Sequence, residues 1–293
     1  MSLDSIAQTI FQHLWMISWQ ICILVFLVWG LCKLFSQTSA NFRYWLWCII
    51  LLRLFLPGDF FQIEREKYYI PNTPPIVLEQ PQIEQEPLVE VGVISQEIEY
   101  THSPHYLSVN FSWTTIVVVL WSLCSLFIGS IIVLRAVYAF AQIKIYPHVR
   151  DKELLRVRDE CKQLLNIHRD VEVLLSPKAT DGPFLTGILF PKIILPKHVV
   201  DSWKQQELHP IILHELAHLK RKDLIVNWLQ ILLQTVYFFH PLVWYINRKI
   251  YAERELACDD LAVHHLGGNA SITQRQCYVF YKKVMMFFPL LVQ

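Results

Sequence analysis

Long uncharged runs dominate the first half of this chain, and a mixed polar and apolar periodicity takes over only afterwards. Residues 14–32, LWMISWQICILVFLVWGLC, carry no charge and are long enough as a helix to cross about 30 Å of hydrocarbon. They predict a first transmembrane helix. No Lys or Arg precedes this run and no small-residue cleavage site follows it, which argues against a cleaved leader. Residues 44–57 are apolar and aromatic but are interrupted by Arg53 close to Pro57 and Gly58. The run reads as a second, shorter span whose arginine snorkels to the outer interface, or else as a half-buried hairpin arm. Residues 113–134 give the strongest span, 22 uncharged positions closed by Arg135.

Between the second and third runs, residues 58–112 hold nine acidic and two basic side chains, several prolines and no cysteine, the pattern of a solvated flexible loop. Lys33 and Arg43 lie between the first two spans, and Arg135, Lys144 and Arg150 follow the third. Positive charge favours the cytoplasmic side, so the N-terminus and the acidic loop are expected outside. Residues 151–166 then show apolar positions at helical spacing behind an acidic start. A strand is expected at 171–175, and short strands at 184–190 and 193–195, punctuated by Gly187, Pro191 and Pro196. Residues 278–292 are apolar but broken by Lys282, Lys283 and Pro289, so the tail 271–293 predicts at most a partial fourth span.

Composition agrees with this layout. The chain is 54% hydrophobic and only 17% charged, too apolar for an ordinary soluble protein, so a lipid bilayer is the expected environment. The net charge of +1 says nothing about nucleic acid, but no long basic run is present to track a phosphate backbone, so direct nucleic-acid binding is not expected. The cysteines at 22, 32, 48, 124, 161, 258 and 277 all fall in predicted spans or on the cytoplasmic side, so no structural disulfide is expected.

The chemistry concentrates between residues 210 and 260. In HELAH (214–218), His214 and His218 stand four apart, so a helix projects both imidazoles from one face toward a common metal ion, with Glu215 beside them. A catalytic zinc takes three protein ligands and keeps one position open. Glu255 is the best third candidate, because Glu255 and Asp259 lie one turn apart on a second helical pattern. Asp259 is then placed to accept a hydrogen bond from the second nitrogen of a liganding histidine. Zinc there would polarise a carbonyl and bring a water pKa to roughly 7, with Glu215 as general base, a peptide-bond hydrolysis. Residues 224–246 complicate this. They carry no charged side chain over 23 positions and could span a bilayer, yet a true crossing would part His218 from Glu255. The stretch is therefore expected to dip into the membrane and return, with the break at His240 and Pro241 and with Asn227, Gln230 and Gln234 turned away from lipid. His209, His240, His264 and His265 read as ordinary polar residues; His264 or His265 is the one to test as a stabiliser of a tetrahedral intermediate.

HELAHLKRKD (214–223), NWLQ (227–230), HPLVW (240–244), RELACDD (254–260) and, upstream, PFLTGILFPKIILP (183–196) resemble the BlaR/MecR-type integral membrane metallopeptidases. The resemblance implies His214, His218 and Glu255 as ligands of one Zn2+, Glu215 as the base, and Asp259 as the residue orienting a ligand. It also assigns residues 184–190, with Phe184, Leu185 and Gly187 foremost, to the strand that holds substrate extended. Cys258 belongs to the pattern and reads as a packed thiol. Antibiotic-responsive members carry an external penicillin-binding domain. No Ser-x-x-Lys motif occurs here, so beta-lactam binding is not expected of this chain.

The expected fold class is an α-helical multi-pass membrane region plus an α+β gluzincin-like zinc peptidase domain. Its divisions are two helices in 1–57, the loop 58–112, the third helix 113–135, a cytoplasmic-facing peptidase domain 136–270 containing the hairpin 224–246, and the tail 271–293. The resemblance implies cutting of a transcriptional repressor, of the protein itself, or of both, from the cell membrane. Quality-control cleavage of membrane proteins and a non-catalytic receptor or scaffold are the competing expectations.

Overall fold

The computed structural model describes residues 3–35, 37–56, 112–177, 182–202 and 205–266. The expectations for 58–111 and 271–293 lie outside them.

Three helices come first: α1 (Leu3–Leu34), α2 (Ala40–Phe55) and α3 (Trp113–Ile145). At 1.5 Å per residue, the 32 residues of α1 and the 33 of α3 reach about 50 Å. Both overrun the uncharged segments and both are long and apolar enough to cross a membrane. The 16 residues of α2 span only about 24 Å. Large apolar side chains point outward from the long helices, among them Trp15, Trp19 and Phe26 on α1 and Leu126, Phe127 and Leu134 on α3. That surface suits lipid and would be costly in water. The two helices start at the same end of the bundle, where Ser112 caps α3 and Asp4 of α1 accepts from the hydroxyls of Ser112 (3.0 Å) and Thr115 (2.5 Å). Arg53 of α2 does not need to snorkel, because it donates to the side chain of Gln20 on α1 and to the Leu56 carbonyl at 3.1 Å.

The next elements build a small α+β unit. Asp151 caps α4 (Lys152–Leu164) by accepting from the Glu153 amide at 2.9 Å. Strands β1 (Glu172–Ser176), β2 (Phe184–Thr186) and β3 (Lys192–Pro196) follow in the order β1-β3-β2, with β1 and β3 parallel and β2 antiparallel on β3. The strand expected across 184–190 stops at Thr186, because Gly187 takes φ +85° and turns the chain. Arg169 holds that turn by donating to the carbonyls of Ile188 and Leu189 at 2.9 and 2.7 Å. Two helices, α5 (Lys197–Ser202) and α6 (Gln205–Arg221), return over the sheet. Val157 and Cys161 of α4, Val173 of β1, Ile193 and Leu195 of β3, and Ile212, Leu213 and Leu216 of α6 form one core.

The chain then makes two sharp breaks. Lys222 adopts a left-handed conformation (φ 62°, ψ 30°) between α6 and α7 (Asp223–Val236). A reversal at residues 237–240 leads into α8 (Pro241–His265), where Pro241 takes the first turn and its missing N–H deprives no helical carbonyl. Polar side chains of α7 face α8, with Gln230 donating to the Asn247 side chain (3.2 Å) and Asn247 to Gln234 (2.9 Å). Spacing three and four had put them on one face, and that face is internal. A second core gathers Ile17 and Ile21 of α1, Trp47, Ile50 and Leu51 of α2, Leu233 of α7, and Val243, Ile246 and Ile250 of α8. Farther along α8, Ala262 sits in the first core. One helix therefore ties the apolar bundle to the α+β unit. The six cysteines among the described residues are free thiols, and Cys277 lies outside them.

A Cβ at position 187 would lie 2.2 Å from the Phe190 carbonyl oxygen on a backbone that L residues avoid. Gly187→Ala is expected to destabilise the β2–β3 turn by more than about 1 kcal/mol. Faster amide exchange at Leu185 and Thr186, with the α1 and α3 amides unchanged, is the measurement.

Candidate active site

The i, i+4 spacing on α6 brings the imidazoles of His214 and His218 edge to face, with ring centroids 4.9 Å apart. Across from them α8 presents Glu255. Its two oxygens lie 3.5 Å from His214 Nε2 and 3.9 Å from His218 Nε2. One donor atom from each of the three falls within 4.8 Å of the other two. The donors fit zinc in kind, two imidazole nitrogens and one carboxylate oxygen.

The other ring nitrogens support the same reading. His214 Nδ1 lies 2.9 Å from Asp259 Oδ1, close in distance though not aligned as a hydrogen bond. His218 Nδ1 lies 2.9 Å from Asp223 Oδ2. A carboxylate behind each ring favours the tautomer with the proton on Nδ1 and leaves Nε2 free to coordinate. Asp259 had been anticipated in this position; Asp223 had not. Five residues along a straight helix turn a side chain well away from its partner, so the spacing of 218 and 223 gives no signal. The break at Lys222 swings Asp223 back.

Cys258 is more than packing. Its Sγ lies 3.2 Å from His218 Nδ1 and 3.4 Å from Asp223 Oδ2, and the three could themselves group around an ion. Arg221 Nε, 3.3 Å from the same carboxylate oxygen, places a positive charge there and disfavours a cation. His264 and His265 pack on each other near the end of α8, 5.4 Å between centroids. Nine residues separate His264 from Glu255, about 14 Å of helix, too far for contact with a substrate carbonyl at the cluster.

Glu215 is 7% exposed. Its burial raises the carboxyl pKa, the imidazoles of His218 and His214 pull it down, and Glu255 pushes it up again, for a net rise. The Leu185 amide donates to this carboxylate, tying it to β2. Among the described residues β2 is an edge strand of the sheet, and the Leu185 bond sets it beside Glu215. Of the residues singled out for substrate, Leu185 thus touches the site directly, Phe184 neighbours it, and Gly187 forms the turn.

Burial raises the Glu255 pKa, but His214, His218 and Arg254 outweigh it and hold the carboxyl down at about 2. Burial lowers the His214 pKa, and Asp259 and Glu255 override that to raise it to about 10. Both shifts favour the charged pair, so a metal that takes His214 as a ligand competes with a proton there.

Fold and cluster define a helical protein with two membrane-length helices, a small sheet and a candidate three-ligand metal site of the kind metallopeptidases use. The chain belongs to the BlaR1 peptidase M56 family, whose sequence profile matches residues 12–274. Over 111 residues it is 40% identical to the regulatory protein BlaR1 of Bacillus licheniformis, a stretch covering 38% of this chain and 18% of that protein. Over 99 residues it is 28% identical to the methicillin resistance mecR1 protein of Staphylococcus aureus, 34% of this chain and 17% of that one. The match thus spans less than a fifth of either relative.

Titrating zinc into weakly buffered protein near pH 7 is expected to release about one proton per site, with apparent affinity falling as pH drops. Asp223→Ala should weaken zinc binding by about 10- to 100-fold, read by chelator competition. Unchanged affinity would show that Asp223 does not support His218.

Proposed function

We propose that this protein is a membrane-embedded zinc metalloendopeptidase acting in signal transduction. The observation that carries the reading is the convergence of His214 and His218 of α6 with Glu255 of α8, with a buried Glu215 beside them. A purely structural metal site has no use for a general base at that position. His214, His218 and Glu255 would hold one Zn2+, and Asp259 and Asp223 would orient the two rings. Zinc bound there would polarise the scissile carbonyl and acidify water.

The chain's own groups supply the rest. Glu215 takes a proton from the attacking water and delivers it to the leaving amine, and its raised pKa suits a group that must both accept and donate. The Leu185 amide fixes the direction of that carboxylate. Among the described residues, the outer edge of β2 keeps the Leu185 carbonyl to accept from an extended substrate backbone, whose main chain would then run past Glu215. Phe184, partly exposed at the start of β2, would meet a substrate side chain.

Membrane placement follows from the same site. We read the chain as multi-pass with a gluzincin-like domain, α1, α2 and α3 crossing the bilayer with the N-terminal ends of α1 and α3 outside, and α7 and the start of α8 forming a hairpin in the cytoplasmic leaflet. The uncharged length of that hairpin and its internal Gln230, Gln234 and Asn247 contacts favour this over two separate crossings. The substrate would be a cytoplasmic transcriptional repressor, the protein itself, or both, a reading that fits the printed name of one relative, a regulatory protein.

Glu215→Gln should retain zinc while slowing cleavage about 10²- to 10⁴-fold, whereas Glu255→Ala should lose both. Incubation of reconstituted protein with a co-expressed repressor, scored by fragment mass, is the measurement; equal cleavage by the Glu215→Gln variant would remove the base assignment. Cysteines introduced as Lys222→Cys and Lys249→Cys are expected to react from the same side of the membrane. Opposite-side labelling would overturn the hairpin.

A further inference from the structure

Asp223 stands at the centre of a buried web that reaches beyond the peptidase unit. The residue is 2% exposed, and both of its oxygens are engaged. Its Oδ2 faces His218 Nδ1 at 2.9 Å, Arg221 Nε at 3.3 Å and Cys258 Sγ at 3.4 Å. Its Oδ1 accepts from the hydroxyl of Tyr44 at 3.2 Å. Tyr44 belongs to α2, lies 179 residues earlier in the chain, and is fully buried. The guanidinium of Arg221 stacks over its ring, 4.7 Å from the centroid.

We propose that Tyr44 is a positioning residue for the metal centre: its hydroxyl fixes the rotation of the Asp223 carboxylate, and through it the orientation of His218. The proposal rests on the three-ligand reading of the site. The reason is geometric. The last torsion of an aspartate is soft, so one oxygen held at Oδ1 decides where Oδ2 points. Three donors compete for Oδ2, and only one of them, His218 Nδ1, bears on the metal site. Without the tyrosine hydroxyl, Oδ1 would be buried and unpaired, and the carboxylate would rotate to share Arg221 or Cys258 between its oxygens. His218 would then lose the acceptor that sets its tautomer.

The neighbourhood on α2 is built to hold this tyrosine in place. Arg43, one residue before it, pairs with Glu253 of α8 at 2.9 Å, and Trp47, one turn after it, meets Tyr245 of α8 edge to face at 5.8 Å. Arg221 also donates to the side chain of Asn41. The start of α2 is therefore clamped to the helix that carries Glu255 and to the end of the helix that carries His214 and His218.

The test is zinc affinity of the purified full chain by competition with a chromogenic chelator. It compares the native protein with Tyr44→Phe, Asp223→Asn, the double variant and Glu255→Ala. Tyr44→Phe keeps the ring and its stacking and removes only the hydroxyl. It is expected to weaken zinc about 5- to 10-fold, less than the roughly 10- to 100-fold for a group directly behind a ligand, because the hydroxyl acts one residue further out. In the Asp223→Asn background the same change should add less than about 2-fold, because two residues acting in series do not contribute independently. 4-Aminophenylalanine at position 44, which keeps the ring and puts an N–H donor in the place of the hydroxyl, should recover most of the affinity, and it serves also if the phenylalanine variant folds poorly. Native affinity in Tyr44→Phe, or full independent effects in the double variant, would overturn the positioning role while leaving the metal site standing. No zinc on the native protein, or none lost in Glu255→Ala, would instead remove the three-ligand reading and the proposal with it.

Discussion

Donor atoms that could serve one metal ion must be able to come within about 2 Å of a common point, and the path of the chain gathers three such side chains. Two of them lie on α6 and the third lies 37 residues later on α8. The intervening segment is apolar enough to cross a bilayer, but a crossing would carry Glu255 away from the histidines. It folds as α7, a reversal and α8, which delivers Glu255 opposite His214 and His218. The prolyl start of α8 and the internal amide ladder serve that return.

The site also concentrates charge where water is scarce. Asp223, Glu215 and Arg254 are each at least nine-tenths buried, and Glu255 and the two histidines are nearly so. A buried ion is tolerated only when partners replace its lost hydration. Here each carboxylate has a cationic or N–H partner: Asp223 has Arg221 and His218, Glu255 has Arg254 and His214, and Glu215 has the Leu185 amide. The depressed Glu255 and Asp223 pKa values and the raised His214 value express this mutual support. Removing one member strands another, so substitutions around this web act together.

The two cores divide the labour. The core of α4, α6 and the sheet fixes the histidines and β2, while the core of α1, α2, α7 and α8 fixes the approach of Glu255. Because α8 enters both, the metal-site geometry depends on helices of the apolar bundle. Any shift of α2 against α8 is felt at the Arg43–Glu253 pair and at Tyr44, within two hydrogen bonds of His218.

Much of this was legible in the sequence, for a physical reason. Helical spacing is local, so the pairs His214/His218 and Glu255/Asp259 announced shared faces. Uncharged length is also local, and it marked α1 and α3. The short reach of a metal ligand then implied that the 224–246 segment reverses. Other features had no local signature. Asp223 reaches His218 only because Lys222 breaks the helix in a left-handed conformation that a non-glycine residue rarely adopts. Strand β2 ends three residues after it begins because Gly187 turns and Arg169 holds the turn. Arg53 read as an interfacial residue of a span and Tyr44 carried no signal of its own, yet Arg53 donates to Gln20 of α1 and Tyr44 to Asp223, 179 residues along the chain. Periodicity thus settled which residues share a face, while tertiary packing alone decided which faces meet, since that depends on contacts between positions that no spacing relates.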